Sequence, residues 1–250
     1  MAGHSHSANI KHRKNAVDAK RSKIFSKLAR HIISAAKQGG GDLETNLKLR
    51  YAVEKARAAN MPKDNIERAV KRGSGSKDGD DYEELMYEGY APGGVALLVC
   101  CLTDNRRRTA PEVKYTFEHG SGNMGATGSV AFMFDFHSIF VIEVGESNED
   151  DLMETALEAG ADDLTVEGDV ATVLAGATEF LAVKLALEAK GLKVLSAETG
   201  YVPQNSIAVE SKEDATKILK LIDLLEENDD VQNVYANYDI RSEWIDEFQA

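Results

Sequence analysis

Between Gly73 and Asp80 the chain reads Gly-Ser-Gly-Ser-Lys-Asp-Gly-Asp, and the hydrophobic periodicity changes across this segment. Before it, apolar residues recur every three to four positions; after it, short strand-like runs alternate with helical ones. Gly, Ser and Asp in this density make a linker, which separates an N-terminal helical unit from a larger α/β part. A chain of 250 residues is long enough for two or three such cores.

The same segment divides the charge. Residues 1–77 hold eighteen Lys and Arg against six Asp and Glu, whereas residues 78–250 hold eleven against thirty-six, so a net charge of −13 hides a basic module on an acidic body. That asymmetry suggests a module facing nucleic acid. The alternative, a basic module that docks on its own acidic body, stays open.

Within the basic module three helices are expected, at 18–37, 44–59 and 63–71. The first carries Ile24, Leu28, Ile32 and Ala35 on one side and Lys20, Lys23, Lys27, Arg30 and Lys37 on another. The second places Leu49, Ala52, Val53 and Ala56 at i, i+3, i+4 and i+7. Pro62 ends that helix and suits the first turn of the third, whose inner face is Ile66, Ala69 and Val70. Ahead of them, Lys11, Arg13 and Lys14 lie on a basic arm. Nucleic-acid contacts are therefore expected from Lys11, Arg13, Lys14, Lys20, Lys23, Lys27 and Arg30, with Arg68 and Lys71 on the third helix.

Beyond Asp80, strands are expected at 82–90, 95–102 and 129–136. Thr109 and Glu112 form a capping-box pattern for a helix at 110–118. From 139 to 201 the order is β-α-β-β-α-β, a ferredoxin-like unit. A strand at 206–210, a helix at 214–227 and a strand at 231–238 follow. The expected architecture is α+β: an N-terminal three-helix domain (1–77) followed by two ferredoxin-like α/β domains, a middle one (78–137 plus 203–250) and one inserted in it (138–202). Arg106, Arg107 and Arg108 stand together in the acidic body, as a second phosphate contact or as a clamp on neighbouring carboxylates.

No catalytic constellation emerges, so a non-enzyme is expected. Ser121 and Thr127 sit in a flexible glycine-rich loop without a nucleophile elbow, and His119 reads as a helix C-cap. Asp162-Asp163 and Asp229-Asp230 read as solvated turns. His4, His6 and His12 have no cysteine or carboxylate cluster beside them, and Cys100 and Cys101 point to opposite faces of a strand, so neither metal nor cofactor is expected. No run of roughly twenty apolar residues exists to cross a bilayer and no signal peptide opens the chain, so a cytoplasmic protein without membrane contact is expected.

Several blocks resemble the signature of the YebC/PmpR family. They are Asn9–Lys14, Lys55–Ala69, Tyr87–Val95, Leu102–Arg106, Gly128–Ala131 and Val202-Pro203, spread over the whole chain. The resemblance implies three α+β domains, one inserted in another, without cofactor or catalytic activity. It also implies a probable transcriptional regulator that binds DNA. A mitochondrial relative described as a translational activator, and bacterial members linked to relief of ribosome stalling, make ribosomal RNA or the ribosome the alternative partner. A basic protein docked on the acidic body is a third reading. The chain departs from the family where His6-Ser7 replace Lys-Trp and where Ser121 replaces a glycine.

Overall fold

The computed structural model describes residues 21–75, 81–145 and 148–249. Three helices come first: α1 (Arg21–Gly39), α2 (Leu47–Ala58) and α3 (Lys63–Gly75). They enclose their own core of Leu28, Ile32, Leu49, Val53, Ile66 and Ala69, the positions that the helical period selects. α2 starts three residues later than expected because Asn46 caps it, its side chain accepting the Leu49 N–H at 3.0 Å. At its other end Asn60 takes a left-handed φ of 59° and Met61 N–H reaches Ala56 carbonyl at 2.9 Å, a closing turn that asparagine tolerates. α3 runs past Lys71 to Gly75, into the expected linker. Gly73 belongs to the packing rather than to a flexible joint: a Cβ there would sit 2.4 Å from the Ile33 carbonyl oxygen of α1.

The α/β part has two four-stranded sheets. β1 (Glu83–Tyr90) and β2 (Ala96–Thr103) form a hairpin, followed by α4 (Arg106–His119) and the short edge strand β3 (Asn123–Met124). The capping box at Thr109 is not formed. Asn105 caps α4 by accepting the Arg108 N–H at 3.2 Å, and Thr109 lies inside the helix with its own N–H on Asn105 carbonyl. The glycine-rich loop after β3 is pinned rather than loose. Glu88, 3% exposed, accepts the N–H groups of Gly128 (2.6 Å), Val130 (2.7 Å) and Ala131 (2.7 Å). Burial pushes this carboxyl's pKa up, but the three backbone donors outweigh it and hold the group below its ordinary value.

A 3-10 turn at Ala131–Met133 leads into β4 (Phe134–Glu143), one strand where two were expected. His137 and Ser138 do not interrupt it, because Ser138 is buried and donates to Gly176 carbonyl at 2.9 Å. Then follow α5 (Glu149–Glu158), β5 (Asp163–Glu167), β6 (Val170–Gly176), α6 (Phe180–Ala189) and β7 (Val194–Pro203). The sheet order β5-β6-β4-β7, all antiparallel, is the ferredoxin-like arrangement of a β-α-β-β-α-β unit. The chain then returns through β8 (Ile207–Ala208), α7 (Lys212–Glu226), β9 (Val231–Ala236), β10 (Tyr238–Asp239) and α8 (Ser242–Gln249). β9 completes the first sheet in the order β3-β1-β2-β9, so the second α/β domain is inserted within the first. β8 pairs with β10 in a separate parallel ribbon.

The expectation of a terminal strand missed α8. Ile245 is buried there, with Trp244 and Phe248 packed on the same core. No helix among the described residues is long and apolar enough to cross a membrane.

Candidate nucleic-acid interface

The cationic side of α1 has a definite partner. Lys23, Lys27 and Arg30 stand at i, i+4 and i+7, hence on one face of the helix. That face lies against the C-terminal end of α7. Lys23 donates to Glu227 carbonyl and sits 3.8 Å from the Asp229 carboxylate. Lys27 donates to Glu226 carbonyl at 2.8 Å, and Arg30 to Asp229 carbonyl at 2.7 Å and Asp230 Oδ1 at 3.1 Å. α7 has no basic residue in its own last turn. Its terminal carbonyls and negative dipole end therefore take their cations from another domain. Lys27 loses so much water in the process that its pKa falls to about 8, with Lys23 adding to the fall and Glu226 and Asp229 opposing it.

Asp230 is not a solvated turn residue. It is 3% exposed. Its Oδ2 accepts from Arg108 at 2.6 Å, Thr109 at 2.8 Å and Thr103 at 3.0 Å, while Oδ1 accepts from Arg30. Burial raises its pKa, but the donors of Arg108, Thr109 and Thr103 together lower it below the ordinary aspartate value. One carboxylate thus ties α1, β2 and α4 together. Sequence alone offered no signal for this, since Arg30 and Asp230 lie two hundred positions apart. Of the arginine triplet, Arg108 also pairs with Asp104 at 3.1 Å, and Arg106 lies 4.0 Å from Glu83. Arg107 is exposed and makes no ion pair among the described residues.

Other charges join the three-helix domain to the rest. Lys37 meets Asp81 at 2.6 Å, Lys48 meets Glu84, Lys55 meets Glu198 at 3.6 Å, and Glu54 meets Lys184 at 3.4 Å. The last three of these pairs line a cleft of about 670 Å³ where all three domains meet, lined also by His31, Tyr51, Met86, Cys100, Phe180 and Tyr201. Burial, aided by Lys55 and Lys48 and opposed by Glu84, pushes His31 down to a pKa of about 4.

Other cations of the three-helix domain are exposed: Arg57 at the end of α2, and Lys63, Arg68, Lys71 and Arg72 on α3. Arg57 and Lys71 have no ion pair among the described residues. Lys63 meets Glu67 at 3.6 Å, and Arg68 donates to Asn65 and to Asp64 carbonyl. The structure therefore divides the expected contact residues. Lys23, Lys27, Arg30 and Arg108 are engaged internally, Arg106 is exposed at 4.0 Å from Glu83, and Arg68, Lys71 and Arg107 face outward. Lys11, Arg13, Lys14 and Lys20 lie outside the described residues, as do His4, His6 and His12. Among the described residues no group of three or more His, Cys, Asp or Glu side chains is placed to hold a metal ion.

Comparison with known proteins places this architecture. The family model described as the TACO1/YebC protein N-terminal domain matches residues 5–76, and that of the TACO1/YebC second and third domain matches residues 82–238. A probable transcriptional regulatory protein of Syntrophotalea carbinolica is 54% identical over 97% of this chain and 97% of its own. One from Desulforapulum autotrophicum is 51% identical over 98% of this chain and 99% of its own. The crystal structure of a conserved hypothetical protein from Aquifex aeolicus superimposes with a TM-score of 0.81 at 44% identity, covering 90% of this chain and 93% of that one. On these matches the chain belongs to the TACO1/YebC family.

Proposed function

We propose that this protein is a cytoplasmic, non-enzymatic regulator of gene expression that binds the phosphate backbone of nucleic acid through its N-terminal three-helix domain, with duplex DNA as the first candidate. The observation that carries the reading is the set of exposed cations Arg57, Lys63, Arg68, Lys71 and Arg72, which outnumber the carboxylates Asp64 and Glu67 exposed among them, in a chain whose net charge is −13. Cations so placed attract a polyanion and release its counterions, whatever the base sequence. Arg adds bidentate phosphate contacts. The names of the relatives, probable transcriptional regulatory protein, point the same way.

The test is a competition titration at about 150 mM salt, near physiological ionic strength, between duplex DNA and purified ribosomes. A variant with Arg57, Arg68, Lys71 and Arg72 changed to Ala runs beside the wild type. The expected result is preference for DNA, with the variant weaker by about 10²-fold or more and its salt dependence shallower by roughly one unit per lost phosphate contact. Preference for ribosomes would move the protein to translation. Equal binding by variant and wild type would remove these cations from the interface.

A further inference from the structure

Resting on that reading, we infer that the C-terminal end of α7, with Asp229 and Asp230, is an internal competitor for nucleic acid: it occupies the cations of α1, and a bound polyanion displaces it.

Three observations carry this. The first is the geometry of the contact. Three donors from successive turns of one helix converge on a row of oxygens: the carbonyls of Glu226, Glu227 and Asp229 and the carboxylate of Asp230. A row of partly or fully negative oxygens is also what a phosphate backbone offers to a helix. The donors need not change character to exchange one for the other.

The second is what holds the docked state. Its other contacts are the pairs Lys37–Asp81, Lys48–Glu84, Lys55–Glu198 and Glu54–Lys184. In every pair but the last the three-helix domain supplies the cation. Undocking therefore releases Lys23, Lys27, Arg30, Lys37, Lys48 and Lys55 together, the residues a polyanion would recruit. Partly exposed pairs of this kind are individually weak and screened by salt.

The third is that the three-helix domain closes a hydrophobic core of its own, separate from those of the two sheets. Its departure would leave each core closed and cost the apolar contacts across the joint: Tyr51, which packs on the core of the inserted sheet and lies edge-on to Phe180 at 5.1 Å between ring centres, and Tyr82, which packs on the three-helix core.

Binding is then a two-step event. The exposed cations Arg57, Lys63, Arg68, Lys71 and Arg72 capture the polyanion, and the α1 cations transfer to it from α7. Apparent affinity is lowered by the fraction of molecules that remain docked.

The experiment weakens the competitor by removing the side-chain charges of Glu226, Glu227 and Asp229, whose carbonyls stay, and leaves every cation in place. A latch variant carries Glu226→Gln, Glu227→Gln and Asp229→Asn. A charge-matched control carries Asp150→Asn, Glu154→Gln and Asp162→Asn, exposed positions on α5 and the turn after it. Both are titrated at about 150 mM salt with a mixed-sequence DNA duplex and, separately, with a ribosomal RNA transcript. Zero-length carbodiimide crosslinks Lys48–Glu84 and Lys55–Glu198, read by mass spectrometry, report docking. The latch variant should bind about five- to tenfold more tightly than the control, as expected if roughly a tenth to a fifth of wild-type molecules are undocked. Both crosslinks should fall as either probe saturates the wild type. Equal affinities of latch variant and control, with crosslinks unchanged at saturation, would overturn the competitor while leaving nucleic-acid binding in place. Binding of neither probe by wild type or latch variant would overturn the functional reading, and this inference with it.

Discussion

The two interdomain joints of this molecule are built from different materials. The two α/β domains meet over Ala96, Leu98, Val130, Phe134 and Tyr235, with Tyr201 packed edge-on to Tyr235 at 5.4 Å. That joint is apolar, and β4 and β7 lead directly into it. The three-helix domain meets the same body through charged side chains and a capped helix end. Burial of apolar surface is insensitive to ionic strength and gives a permanent union. Charge pairs at a partly wet surface give a union that salt, acid or a competing polyanion can undo. On the inference drawn above, the three-helix domain is the part that changes partners, and its charged joint is what that exchange needs.

The largest expected effect tests the permanent joint. Phe134 is 5% exposed in the core between the sheets. Phe134→Ala should destabilise the protein by about 3–5 kcal/mol in urea denaturation, with no protection by low salt. A loss under about 1 kcal/mol would mean that the joint is less well packed than its burial indicates, and the contrast between the two joints would fail.

Much of this construction is legible in the sequence, and the limits have a physical cause. The period of Leu49, Val53 and Ala56 predicts the buried face of α2, and the β-α-β-β-α-β order predicts the inserted sheet, because both patterns are local. The hairpin at Gly168 follows from local turn chemistry in the same way, with φ of +60°. The stripe of Lys23, Lys27 and Arg30 is legible as a stripe. What it faces is not, since spacing along a helix fixes which residues share a side but not what covers that side. Asp230 shows the same limit more sharply. Asp229-Asp230 after a helix looks like a turn, and only the fold brings Arg30, Thr103 and Arg108 around its second carboxylate. The cap of α4 was misplaced for a different reason: Asn105 and Thr109 both suit a cap, and the buried bond from Thr109 to Asp230 draws the threonine inside. The exposed cations Arg68, Lys71 and Arg107 could be named from sequence, but not that they would face outward while Lys23, Lys27, Arg30 and Arg108 turn inward.

Acid should loosen the charged joint before the apolar one. His31 lies on α1 where it faces the cleft, beside Lys55, Lys48 and Glu84. Its pKa is about 4 in the folded protein against 6.5 for the free side chain. A group lowered in this way supports the fold fully above the unfolded value, and the support drains as pH falls from 6.5 towards 4. The loss should reach about 1–3 kcal/mol at the lower end of that window. Carbodiimide coupling would itself weaken over this range as the lysine amines protonate, so the measurement is urea denaturation from pH 7 to 4.5. His31→Gln should flatten the slope between pH 6.5 and 5, while Phe134→Ala shifts the whole curve and leaves that slope unchanged. An identical slope in wild type and His31→Gln would assign the acid effect to other groups.

The smallest effect is the sharpest test of the contrast. Lys55 and Glu198 are 41% and 24% exposed at their side chains and lie 3.6 Å apart, so Lys55→Ala should cost no more than about 1 kcal/mol of global stability. Its influence on docking should nevertheless be measurable, because the docked state rests on several such weak pairs, with only Tyr51 and Tyr82 carrying apolar contacts between the cores. Raising salt from about 50 mM to 500 mM shortens the screening length from roughly 14 Å to 4 Å. In wild-type protein this should reduce the Lys48–Glu84 crosslink progressively while the urea midpoint of the sheets hardly moves. Lys55→Ala should shift that crosslink curve to lower salt without moving the urea midpoint further. If salt reduced crosslink and midpoint in parallel, docking and folding would be one cooperative event. The three-helix domain would then be as permanently attached as the inserted sheet, and nucleic acid would have to be met by Arg57, Lys63, Arg68, Lys71 and Arg72 without help from α1.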